Sequence, residues 1–308
     1  MRPIPTHTLK YWWLASRTPS VIKILLPIAI GLSAALAWTG EFRPVYIALA
    51  LLYGWFNQLI IIFFNDAADY QADIHHAQAF PQLIDPRVIP NRWLTRKQIL
   101  FAGSIAASLM ALVSLVAWLV FHRPYAPLFW GASVSFLWAY SFPPIRINYR
   151  GYGEIVEMTG VGIILPLLGF YFYTGTFSFP AVAVVPVALL SLAGSISSTL
   201  KHQPADAETG KRTLSVIYGA QTARTILFIA LILGILSTVG LVLSGYVHPL
   251  ILVLTVALPP VFLWQMAKTF KEATTENLAS LKTFKKALSN ATYLVFAGLI
   301  AGFICAAL

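Results

Sequence analysis

Carboxylates are scarce in this chain. Only 11 of its 308 residues are Asp or Glu, against 21 Lys and Arg, and charged residues make up 10% of the total. That composition excludes an ordinary soluble globular domain, in which about a quarter of residues are charged. The single cysteine, Cys305, excludes an internal disulfide framework and a cysteine-based metal centre. It lies in an apolar segment and reads as a packing residue. A cleavable secretory signal is not expected, because Arg2, Lys10, Arg17 and Lys23 crowd the region before the first apolar run. A retained signal-anchor serving as the first span is expected instead. No low-complexity tract or linker divides the chain, so residues 1–308 read as one domain.

Apolar residues supply what is missing, at 58% of the sequence. Long apolar segments recur, many near the roughly 20 residues needed to cross a bilayer. Nine spans are expected, near 20–38, 45–65, 98–121, 125–142, 154–174, 179–199, 221–244, 247–267 and 289–307. The fold class is therefore all-α: a polytopic membrane protein with about nine transmembrane helices in one bundle. Trp12, Trp13, Trp93, Trp130 and Trp138 fall near span ends and read as interface anchors.

The connectors alternate between short and long, and the long ones hold nearly all the charge. With the N-terminus in the cytoplasm and the C-terminus outside, only Arg43 and Arg123 of the 21 basic residues face outward, leaving 19 inside. Of the 11 acids only Glu41 faces outward. This is the positive-inside pattern. The formal charge of +10 thus describes one membrane face, where it attracts anionic lipid, and a nucleic-acid partner is not expected. The expected location is the bacterial inner (cell) membrane. In this reading no acidic or basic residue falls mid-span, which disfavours a transporter.

The few acids are not scattered. Asn65-Asp66-Ala67-Ala68-Asp69-Tyr70-Gln71-Ala72-Asp73 follows the apolar run Leu59–Phe64 directly. At about 100° per residue, Asn65, Asp69 and Asp73 share one helical stripe, with Asp66 beside it. Like charges that close are costly near lipid, and hard oxygen ligands converging on one point suit Mg²⁺ together with phosphate oxygens. A solvated helix end capped by acids is the plain alternative. His75 and His76 follow the cluster and read as surface residues.

Two further charged segments are expected on the same face. Tyr140-Ser141-Phe142-Pro143-Pro144-Ile145-Arg146 leads to Asn148-Tyr149-Arg150 and Gly153-Glu154, and the paired prolines end a helix. Lys201-His202-Gln203-Pro204-Ala205-Asp206 runs into Glu208-Thr209-Gly210-Lys211-Arg212. Acidic sites for a cation beside basic sites for an anion fit a Mg²⁺–diphosphate group on a hydrophobic tail. Loop salt bridges are the plain alternative for each arginine. A weak internal echo accompanies the pattern, since a span leads into an acidic helix end at 65–73 and again at 202–208.

Asn65-Asp66-x-x-Asp69-x-x-x-Asp73 resembles the first aspartate signature of the UbiA superfamily of intramembrane prenyltransferases. Tyr140-Ser141-x-Pro143-Pro144 with Gly153-Glu154 resembles the segment after the fourth helix of that family. Asp206 to Leu214 with Tyr218-Gly219 resembles the second signature. The Gly-Lys-Arg-Thr-Leu ending and Tyr173-Thr174-Gly175 look most like the 1,4-dihydroxy-2-naphthoate polyprenyltransferase branch. The resemblance implies Mg²⁺-dependent ionisation of a polyprenyl diphosphate and capture of the allylic cation by a small aromatic quinone precursor, as in menaquinone biosynthesis. It implies that Asn65, Asp66, Asp69, Asp73 and Asp206 hold Mg²⁺ directly or through water. Arg146, Lys211, Arg87 and Arg17 become the diphosphate candidates. Asn65 and Tyr140 would line the cavity, Tyr140 with its ring near the cation.

The family pattern has an aspartate where this chain has His202, four residues before Asp206 and on the same helix face. Neutral imidazole is a poor Mg²⁺ ligand beside carboxylate. Three readings stay open. The metal site keeps working with a weakened second half; His202 acts as the base that deprotonates the acceptor or intermediate; or the protein is a relative whose substrate or chemistry has changed, including a non-catalytic isoprenoid-binding membrane protein.

Overall fold

The computed structural model describes residues 8–307; Arg2 lies outside them. Helix α1 (Thr8–Ser16) passes through a 3₁₀ turn, Thr18–Val21, into α2 (Ile22–Thr39). Next come α3 (Pro44–Ala68), α4 (Tyr70–Ala79), α5 (Arg96–Leu119) and α6 (Ala126–Ser141). Helix α7 (Gly153–Thr159) continues through a π turn, Gly160–Ile164, into α8 (Leu165–Thr174). The chain then forms α9 (Ala181–Leu200), the short α10 (Gln203–Glu208), α11 (Leu214–Leu243), α12 (Pro259–Thr269) and α13 (Leu278–Ala307). No strand occurs among the described residues.

Among the described residues, eight segments are long and apolar enough to cross a membrane, beginning with Leu9–Thr39 and ending with Leu278–Ala307. The ninth expected span is α6, a helix of 16 residues. Large apolar side chains such as Phe101, Leu112, Leu128, Leu236 and Trp264 remain exposed, as lipid-facing surface requires. Trp13 and Trp138 are exposed at helix ends, whereas Trp93 stacks on Tyr11 and the Trp130 Nε1 donates to the Ala107 carbonyl.

Local chemistry sets the boundaries. Gly40 and Gly175 close α2 and α8 with φ of 66° and 79°, the left-handed conformation that glycine adopts without a Cβ penalty. Thr95 opens α5 with a capping box, accepting from the Gln98 amide while Gln98 Oε1 accepts from the Thr95 amide. Two expectations need correction. Helix α11 begins seven residues before the expected 221, at Leu214, and Arg224, within the span expected at 221–244, is buried. Glu157 lies within α7. Charged residues therefore do occur inside the spans, because the helix and its packed neighbours supply polar partners that hydropathy does not register.

Two glycines fix the centre of the bundle. A Cβ on Gly31 of α2 would stand 1.9 Å from the Pro166 carbonyl oxygen, and one on Gly169 of α8 would stand 2.3 Å from that of Ile28. Backbone thus meets backbone from both sides, as where small residues let membrane helices approach. Tyr171, Phe170, Phe172 and Tyr53 fill the buried layer around the contact. Arg123 closes the end of the bundle remote from the acids. Its guanidinium donates to the Phe172 and Tyr173 carbonyls at 2.9 Å each, capping α8, and packs 4.4 Å from the Tyr46 ring centroid.

Gly31→Val is expected to destabilise the detergent-solubilised protein by about 2 kcal/mol, since backbone cannot yield as a side chain does. Gly131→Ala, on a helix face where an added Cβ meets nothing within 4 Å, should leave stability unchanged or raise it slightly. Thermal unfolding of both variants measures the difference, and equal melting temperatures would refute the assignment.

Candidate active site

The acidic stripe forms with a break. Helix α3 ends at Ala68 and Asp69 takes φ −89°, ψ 9° before α4 begins. The Asp69 amide still bonds the Asn65 carbonyl and the Asp73 amide that of Asp69, both at 2.9 Å, so the i, i+4 alignment survives the kink. Asp66, Asp69 and Asp73 are all buried, Asp69 to 1% exposure.

Each of these carboxylates meets a cation from another part of the chain. Asp66 accepts from Arg17 and, at 2.7 Å, from Arg87. Arg87 also donates to Asp73 at 3.1 Å. Asp69 accepts from Lys211 at 2.6 Å and from the Tyr149 hydroxyl at 3.1 Å. Arg146 lies flat over the Tyr149 ring, its Cζ 3.5 Å from the centroid, and its Nε is buried without a partner. Arg17 and Arg146 both sit in the left-handed region, at φ 43° and 48°, a conformation that costs a non-glycine residue about 1–2 kcal/mol. The surrounding contacts hold two of the diphosphate candidates in that strained backbone.

The remaining candidates gather around this core. The Ser141 hydroxyl donates to Asn65 Oδ1 at 3.4 Å, which places Asn65 beside the end of α6 and its neighbour Tyr140. Asp206 is buried on α10 and forms no ion pair among the described residues. Burial pushes its carboxyl up to about 6, with Lys211 opposing and Asp69 adding to the shift. Lys211 experiences the reverse. Burial alone would lower its ammonium, but Asp69 and Asp206 hold it above the ordinary lysine range.

His202 precedes α10 and turns its ring onto His76, centroids 5.0 Å apart and planes at 85°. Burial, with Arg87 next, lowers His76 to about 4 and His202 to about 2. Both rings are therefore neutral, and His76 Nε2 and His202 Nδ1 are buried without partners. The surface placement expected for His76 is incorrect: α4 packs against α10 and buries it. His75 is half-buried and bonds Glu208 at 2.7 Å. Periodicity alone did not single out Tyr149, the hydrogen-bonding partner of Asp69, or Arg96, which donates to the Ala67 carbonyl at the end of α3. An aromatic between two arginines was the only signal for Tyr149.

The donor set of carboxylate and carboxamide oxygens at Asp66, Asp69, Asp73, Asp206 and Asn65 suits a hard divalent cation. Among the described residues no group of three or more Asp, Glu, His or Cys side chains is gathered as a metal site. Arg17, Arg87 and Lys211 occupy Asp66, Asp69 and Asp73, so a metal would have to exchange with these cations.

An all-helical membrane bundle carrying interlocked acids and bases at one end thus defines the class. The chain belongs to the UbiA prenyltransferase family, which it matches over residues 24–306. It is similar to a 1,4-dihydroxy-2-naphthoate octaprenyltransferase of Bacillus subtilis (strain 168), with 25% identity over 130 residues, 42% of this chain and 41% of that relative. The match thus spans well under half of the curated relative's length. Its fold is that of a UbiA homologue from Archaeoglobus fulgidus bound to DMAPP and Mg²⁺, with TM-score 0.66 and 14% identity over 96% of this chain and 99% of that one. An apo UbiA homologue from Aeropyrum pernix K1 gives TM-score 0.63 at 12% identity, covering 90% and 97%.

Asp206 carries a stability cost that can be measured. Its folded pKa lies above the ordinary carboxyl value of 3.8, so between about pH 4 and 6 the folded state binds more protons than the unfolded one. Stability therefore falls as pH rises through that window and stays lower above it. Asp206→Asn should melt higher than wild type at pH 7.5 in metal-free buffer, by about 3 kcal/mol. The difference should vanish near pH 4. A difference that is independent of pH would refute the assignment.

Proposed function

We propose that the protein transfers a polyprenyl group from a prenyl diphosphate to a small aromatic quinone precursor within the membrane, using Mg²⁺. The observation that carries this reading is the interlock of buried Asp66, Asp69 and Asp73 with Arg17, Arg87 and Lys211 at the end of an apolar bundle. Four strong charges of each sign, counting Asp206 and Arg146, lie within one site. A diphosphate gives the bases a new partner, because guanidinium and ammonium bind phosphate oxygens as well as carboxylates. Arg146, with its unpartnered Nε, would bind without giving up a carboxylate.

In this reading the freed oxygens of Asp66, Asp69, Asp73 and Asp206, with Asn65, would hold Mg²⁺, which supplies charge neutralisation of the leaving diphosphate. The chain's own contribution is positioning. Before the diphosphate binds, Lys211 and Tyr149 hold Asp69 and Arg87 bridges Asp66 and Asp73; Tyr140 would present an aromatic face that stabilises a developing allylic cation. The tail would lie among the lipid-facing helices. The charge split between connectors supports a site on the cytoplasmic side, with the N-terminus inside, and the Bacillus relative supports a dihydroxynaphthoate acceptor. His202, neutral and packed on His76, adds no anionic ligand. That observation favours a second reading, in which the protein binds an isoprenoid without turning it over.

Purified protein given Mg²⁺, geranyl diphosphate and 1,4-dihydroxy-2-naphthoate is expected to release diphosphate and form a prenylated product. EDTA should abolish both. Asp69→Ala should lower the rate at least about 100-fold, as loss of a group that organises the charged transition state does. An Asp69→Ala rate equal to wild type would overturn the site, and tail binding without turnover would establish the second reading.

A further inference from the structure

Below the interlock, α7 carries two carboxylates that the ion pairs leave out. Glu154 and Glu157 are one helical turn apart and face α9. Glu154 Oε1 accepts from the Thr199 hydroxyl at 3.3 Å and from the Leu214 amide at 2.9 Å, so the N-terminus of α11 holds its charge. Its Oε2 is buried without a partner. Glu157 Oε2 accepts only from the Ser195 hydroxyl at 2.7 Å, and no Lys, Arg or His among the described residues pairs with either acid. An intramembrane carboxylate without a cation is expensive to keep and marks a functional position.

The neighbours indicate what the pair lacks. A Cβ on Gly153 would lie 3.4 Å from the Tyr140 hydroxyl and 3.5 Å from the Asn148 Cα, so Tyr140 and Asn148 border the start of α7. Glu157 follows Gly153 by four residues and so shares the face of α7 that borders the Tyr140 hydroxyl. Asn148 is 6% exposed and its Oδ1 has no partner; on α9, one turn from Ser195, Ser191 Oγ is also buried and unpartnered. Glu154 Oε2 and Asn148 Oδ1 are both acceptors. These two acceptors lack a donor, which a hydroxyl group can supply.

We propose that Glu157, beside Tyr140 and Glu154, receives the hydroxyl group of the aromatic acceptor and takes its proton during prenyl transfer. The proposal rests on the prenyltransferase reading above. As the allylic C–O bond breaks, its electron pair leaves with the diphosphate. A ring carbon of the acceptor forms the new C–C bond with the allylic carbon. The hydroxyl oxygen becomes a ring carbonyl, and its proton passes to Glu157 Oε1, which Ser195 leaves open. Glu154 and Ser195 are positioning residues: the first fixes the helix end, the second the carboxylate rotamer. The site thus selects acceptors that present a free hydroxyl.

The test compares wild type with Glu157→Gln and Glu157→Asp, using geranyl diphosphate, Mg²⁺, and either 1,4-dihydroxy-2-naphthoate or its dimethyl ether. Wild type should prenylate the diol and not the ether. Glu157→Gln keeps the shape and a contact to Ser195, but should lower prenyl transfer about 100-fold, the effect of losing a general base. Its affinity for geranyl S-thiolodiphosphate should equal that of wild type, which also shows that it folds. Glu157→Asp should recover part of the rate. Transfer to the diol by Glu157→Gln at the wild-type rate overturns the inference and leaves the prenyltransferase reading intact. Absence of prenylated product from wild type overturns both. Equal loss of thiolodiphosphate affinity in Glu157→Gln and Glu157→Asp makes the residue structural and overturns the inference.

Discussion

The pairing of Asp66, Asp69 and Asp73 with Arg17, Arg87 and Lys211 is the constraint on which the charged end of the molecule depends. Each ion is taken out of water at considerable cost, and only a partner close by makes its burial tolerable. The partners come from four places: the turn after α1, the junction of α3 and α4, the loop before α5 and the loop after α10. Electrostatics therefore does at this end what apolar packing does in the middle of the bundle. Cations that belong to the chain can be traded for other charges without unfolding it, whereas a buried apolar contact cannot be traded in the same way.

The two halves of the site are built alike but not charged alike. Helices α3 and α4 bring three carboxylates and their cations, while α9 and α10 bring one carboxylate without an ion pair and a neutral imidazole. His202 resolves the clash between a loss of charge and a buried position by packing on His76, so the second half is sealed by ring contact instead of by ion pairing. The effect is an uneven field: cations of the chain draw toward α4, and Asp206 stays poised near its own titration.

Hydropathy made the spans legible, because in lipid a helix must satisfy its own backbone and must be apolar over a fixed length, but it missed the polar first turns of α11 and α13, which start seven and eleven residues early. The acidic stripe was legible for the opposite reason, since so many charges at a membrane helix end demand an explanation. Pairing was harder to read. Nothing in the residue types says that Arg17, 49 positions away, meets Asp66, or that Tyr149 supports Asp69. His76 looked like a surface residue because the His202 ring it packs on is distant in sequence. Glu157 vanished inside an apolar stretch, where one polar residue barely moves an average. Arg123 read as a stray outward charge, yet it caps the carbonyl end of α8.

Helix α6 has 16 residues, a length of about 24 Å, against a hydrocarbon layer about 30 Å thick. Helix α3, with 25 residues, reaches well past that thickness. Helix α6 alone therefore falls short of that thickness, and the chain turns out of it at Phe142. For the proposed substrate, a charged head on a long hydrocarbon tail, a short helix beside a long one would let the bases meet that head from the side, without its first rising into water.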